Sequence, residues 1–176
     1  MQSKTSFFNG TLFRKNLTRF WPLWAVYAAA WLLAGPVTRF VTAFGRYAEP
    51  DSARRTAQLL RDLLETWADF GLASAVVAGV LFAMALFSYL TVPRAAGLFH
   101  SLPIRRESLF FTNYLTGLLV AAAVQLSAAA LEAAVLLAAG AMAFPAWAGA
   151  LACGLGQMLF FYSFAVLCAA FTGQIL

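Results

Sequence analysis

Four stretches of this chain are long, apolar and almost without charge, and they constrain its fold more than any motif does. Phe20 to Thr38 holds no charged residue, and neither does Gly71 to Val92. A third stretch opens near Leu109 and stays apolar to Gly140, interrupted only by Glu132; a fourth runs from Ala146 toward the terminal "FTGQIL". About 20 apolar residues carry a helix across a hydrocarbon core of about 30 Å. Composition agrees: the chain is 62% hydrophobic and 11% charged, where a soluble domain has about 45–50% and about 25%. The expected fold is an all-α, polytopic transmembrane helical bundle, a single domain over 1–176 with spans at about 20–38, 71–92, 109–140 and 146–172.

The segments between the spans carry the chain's polarity. Residues 1–19 place Phe8, Leu12, Phe13 and Leu17 near helical spacing, with Lys4, Arg14, Lys15 and Arg19 around them. That pattern fits an interfacial amphipathic helix at the membrane surface. Arg14, Lys15, Arg19, Trp21 and Trp24 are its expected interfacial anchors, with membrane lipids as partners. The segment is too polar for a secretory leader, and no cleaved signal peptide is expected. Gly35–Pro36 is expected to kink or end the first span. Residues 39–70 read as the one long polar connection, with five arginines balanced by five acids. Its second half puts Leu60, Leu63, Leu64 and Trp67 on one face, so a short outer amphipathic helix is expected, with Asp51 or Ser52 as N-cap.

Between the second and third spans lies "LFHSLPIRRESLFFTNYL", which holds the only histidine of the chain. Counting basic residues places the N-terminus and the 93–108 loop on one side, with seven, and the 39–70 connection on the other, with five. By the positive-inside rule the first side is cytoplasmic, which gives a multi-pass protein of the cell membrane with a cytoplasmic N-terminus. Ser101 and Pro103 suit a helix start, and Glu107 suits the positive end of that helix. Topological charge and capping alone explain these residues on the residues' own evidence.

The segments "FFNGTLFRKNLTRFWPLWAVY" and "LFHSLPIRRESLFFTNYLTGL" together resemble permease subunits of type-2 ABC exporters of Gram-positive bacteria. The resemblance implies a membrane-spanning subunit of an ATP-driven exporter, paired as a homo- or heterodimer and seated on a separate ABC ATPase subunit. It implies that Arg94, His100, Ser101, Leu102, Pro103, Ile104, Arg105, Arg106 and Glu107 form an ATPase-coupling loop. Family members usually have six spans, against four here. With no charge after Glu132, the chain is expected to be the N-terminal portion of a longer protein. The rival expectation is a small membrane scaffold or sensor subunit without transport activity.

Other functions find little support. No G-x-x-x-x-G-K-[ST] pattern occurs, so ATP hydrolysis is expected only in a partner. No catalytic set, metal site or cofactor is expected, and nothing interleaves aromatic and basic residues as a nucleic-acid platform would. Cys153 and Cys168 read as small packing residues. The intramembrane polar candidates are Gln125, Glu132 and Gln157. Gln125 and Glu132 are seven residues apart and share a helix face. Glu132 is either a functional intramembrane acid, as a proton relay or substrate contact, or a carboxylate near the outer interface. Asn113 and Gln174 join Gln157 as candidates for hydrogen bonds between helices. The small residues Ala121–Ala123, Ala128–Ala130, Gly149, Cys153, Gly154 and Gly156 are expected to let helices pack closely, within the chain or across a dimer.

Overall fold

The computed structural model describes residues 10–46, 48–91 and 106–172. Among these there is helix and no strand. Helix α1 is Gly10–Arg19; α2 is Trp21–Leu32 and passes through a π turn, Leu33–Val37, into α3, Thr38–Phe44. Helix α4, Ser52–Glu65, passes through a second π turn, Thr66–Phe70, into α5, Gly71–Thr91. Helices α6, Arg106–Ala138, and α7, Phe144–Thr172, complete the bundle. Four of these runs are long and apolar enough to cross a membrane: Trp21–Phe44, Ser52–Ser88, Glu107–Ala138 and Phe144–Phe171. The all-α spanning bundle is therefore the architecture of the chain.

The long polar connection expected over 39–70 is mostly helical, its second half as expected and part of its first half as well. Its two ends are helical extensions of the first and second spans, α3 and α4, which pack together as a hairpin. Only residues 45–51 link them. Pro36 does not end the first helix. It lacks an N–H, and the chain absorbs that defect by widening into the π turn. There Thr38 Oγ1 donates to the carbonyls of Ala34 and Gly35 at 2.5 and 2.7 Å. Local rewinding of this kind recurs at functional sites.

Asp51 caps α4, its Oδ1 accepting from the N–H of Ala53 at 2.9 Å. Replacing a capping Asp with Ala costs about 1 kcal/mol. Asp51→Ala is accordingly expected to speed amide hydrogen exchange in the first turn of α4 and leave α6 unchanged. The buried face of α4 is Leu59 and Leu63, continued by Trp67 of the second π turn. Of the residues expected on that face, Leu64 is exposed and Leu60 only half-buried. Helix α6 ends in a Schellman motif: Gly140 takes φ +67°, and Ala141 N–H donates to Leu136 O at 2.9 Å. Pro145 lies in the first turn of α7, where its missing N–H is harmless.

The most extensive packing joins α5 and α7. Gly79 makes it possible, because a Cβ there would stand 3.2 Å from the backbone nitrogen of Tyr162. Small residues let membrane helices approach this closely. An aromatic series fills the space toward α2: Trp24 meets Phe82 at 4.6 Å, Phe82 meets Tyr27 at 5.3 Å, and Trp31 meets Trp67 at 4.6 Å.

Candidate functional site

The first cluster of interest joins the N-terminal segment to the third span. Helix α1 packs against the start of α6 and buries none of its own residues. Its apolar Leu12 and Phe13 are half-buried, while Arg14, Lys15 and Arg19 are exposed, as an interfacial helix requires. Asn16 Nδ2 donates to Asn113 Oδ1 at 2.7 Å, and Asn113 Nδ2 donates to the Leu86 carbonyl at 3.2 Å. One side chain of α6 therefore holds both α1 and the end of α5. Beside it, Tyr114 shares a 2.8 Å hydrogen bond with Ser163 of α7. Trp21 is 65% exposed and can serve as an anchor. Trp24 cannot, since it turns inward and is buried against Phe82.

The second cluster lies toward the other end of the bundle and holds Glu132. This carboxylate does not reach for the surface; it is 1% exposed. Its Oε2 accepts from the indole N–H of Trp67 at 2.7 Å. Its Oε1 stands 4.0 Å from Nη2 of Arg39, which is itself 2% exposed. At 4.0 Å the two are a charge contact without a hydrogen bond. Arg39 Nη2 instead donates to Thr66 Oγ1 at 2.6 Å and to the Asp62 carbonyl at 2.5 Å. Arg39 was expected on an outer connection. Because α3 continues the first span, it points into the bundle instead.

Both π turns converge on this carboxylate. Gly35 of the first leaves room for it, since a Cβ there would come within 2.6 Å of Oε1. Trp67 of the second donates to it. Gln157 of α7 donates to the Ala68 carbonyl at 3.4 Å, serving the second turn's backbone. Gln125, on the same face of α6 and fully buried, donates to the Tyr27 hydroxyl at 3.1 Å. The three intramembrane polar residues singled out in the sequence thus all connect helices. Arg39, Thr66 and Trp67 complete the cluster. Trp67 was noted only for its apolar face, and no local signal in the sequence marks Arg39 as buried.

The remaining expectations divide. Arg94, His100, Ser101, Leu102, Pro103, Ile104 and Arg105 lie outside the described residues, as do Phe8 and Gln174. Arg106 begins α6, and Glu107 is exposed in its first turn. Gly154 packs tightly on the ring of Trp67, whereas Gly149, Cys153, Gly156 and Cys168 are exposed rather than packed between helices. Among the described residues no group of His, Cys, Asp or Glu could hold a metal ion. An apolar groove of about 300 Å³ runs between α2 and α5, floored by Tyr27 and Phe82. Its Ser74 hydroxyl is turned to the Gly71 carbonyl, and the Tyr27 hydroxyl is turned to Met158, so the groove presents hydrocarbon.

Comparison with protein-family models, curated proteins and solved structures finds no match. The functional reading therefore rests on the residues themselves.

Proposed function

We propose that this chain is a membrane-spanning permease subunit of an ATP-driven ABC exporter, working beside a second permease subunit. In this reading the basic segment 94–107 docks on a separate ATPase and relays its motion to the spans. The observation that carries it is the Asn16–Asn113 hydrogen bond, which fastens α1 to the opening turns of α6 directly after that segment. A displacement of the segment would enter α6 and reach α1 and α5 together through Asn113. The basic pair Arg105–Arg106 suits an acidic docking surface. Four spans provide the membrane path.

The test is co-purification of the tagged full chain with a candidate ABC ATPase. Wild type is expected to retain the ATPase, and Arg105→Glu/Arg106→Glu to lose most of it. If neither protein retains it, the reading fails and the scaffold alternative stands. Equal retention by both would reduce the two arginines to topological charge. Asn113→Ala is expected to leave retention intact while freeing α1. Interhelical hydrogen bonds in membranes average about 0.6 kcal/mol, so faster hydrogen exchange in α1 with little change in overall stability should report the loss.

A further inference from the structure

We propose that Glu132 is a proton-binding site, and that proton uptake there releases Arg39 and opens the end of the bundle built from the α3–α4 hairpin. The inference does not depend on an ATPase partner. An acid within a membrane span is a functional site by default, but three observations give this one a specific role.

First, Glu132 Oε1 has no hydrogen-bond partner among the described residues, although its oxygen is buried. A protonated carboxyl needs one oxygen free to carry the hydrogen, and Trp67 already occupies the other. Second, the positive partner is held by other groups. Arg39 is fixed by Thr66 and the Asp62 carbonyl, and only its charge, at 4.0 Å, balances Glu132. Third, the elements around the pair are the two π turns, departures from α-helical winding of the kind that recurs at functional sites.

The chemistry follows. The carboxylate takes a proton from the aqueous phase at its end of the bundle and becomes neutral. No other bond forms or breaks. The guanidinium cannot lose its proton, so it loses its buried partner and keeps only the half-buried Asp62 carboxylate as a neighbouring anion, which is unfavourable for a buried charge. Arg39 stands five residues before the end of α3, about 8 Å from it at 1.5 Å per residue. Water is therefore within reach of its side chain, and its departure separates α3 from α4. Few other titratable groups face the pair. Helix α4 brings Asp62, half-buried beside Arg39, and the second π turn brings Asp69, exposed. Helix α2 brings Tyr27, engaged with Gln125. Helix α7 brings no charged residue, and its Cys153 is exposed.

The experiment uses the purified full chain in lipid nanodiscs. Infrared difference spectra between neutral and acidic buffer should show a protonated-carboxyl band in wild type that is lost in Glu132→Gln. Trp67→Phe, which keeps the acid but removes its donor, should shift that band. Amide protection at 33–37 and 66–70, taken relative to the intrinsic exchange rate at each pH, should fall on acidification in wild type. In Glu132→Gln it should be low at both pH values. A band unchanged by both variants overturns the proposal, as does protection at the π turns that is the same at both pH values in wild type. If Glu132→Gln does not fold, the Trp67→Phe shift and the wild-type exchange decide alone.

Discussion

Glu132→Leu is expected to destabilise the chain by about 3–5 kcal/mol, the cost of stripping a buried charge of its partner. Arg39 would keep its three neutral acceptors but lose its buried anion, with only the half-buried Asp62 carboxylate nearby. Arg39→Leu/Glu132→Leu is expected to recover most of the loss. The residue left over is the unpaired Trp67 indole, about 1–3 kcal/mol for a buried donor without an acceptor. Arg39→Leu alone is expected to cost less than Glu132→Leu, because a carboxylate can neutralise itself by taking a proton and a guanidinium cannot release one. Its cost should shrink further on acidification. Reversible unfolding in mixed micelles across the four proteins measures all of this. Equal costs for the two single variants would contradict the asymmetry.

Gly154→Val is expected to be the most damaging of the small-residue substitutions. A Cβ at this position would fall 2.4 Å from Cε3 of Trp67, a rigid ring already pressed on Trp31. Overpacking of a core costs about 1–3 kcal/mol. Here the ring cannot retreat without giving up Glu132 Oε2, so the substitution also disturbs the charge pair. Gly149→Val, at an exposed position with nothing within 4 Å of its would-be Cβ, should leave monomer stability unchanged. The two variants compared by thermal unfolding separate packing from a general intolerance of valine in α7.

The spans were legible because a charge-free run of about 20 residues has few alternatives. That Gln125 and Glu132 share a face of α6 was legible too, since seven residues are close to two helical turns, whereas the burial of Glu132 was not. The segment 39–70 was misleading for a physical reason. Charged residues suggest solvent, but α3 and α4 are helices that bury only one face, and a charge count does not record which face each residue occupies. Arg39 is the clearest case: its burial depends on Glu132, Thr66 and Asp62, none of them near it in sequence. The π turn at Pro36 was half-legible. The missing N–H predicted a disturbance, while its absorption into a π turn that lets the helix continue depended on how the following residues rewind.

The permease reading rests on one polarity: segment 94–107 on the cytoplasmic side, and residues 45–51 opposite. Cysteine labelling in sealed, oriented membrane vesicles tests it directly. Cys153 and Cys168 are first replaced with alanine, and Ser101→Cys and Glu49→Cys are made singly. Position 101 should react with a membrane-impermeant reagent only from the cytoplasmic face, and position 49 only from the outer face. Labelling of both positions from one face, or of each from the wrong face, would contradict the account.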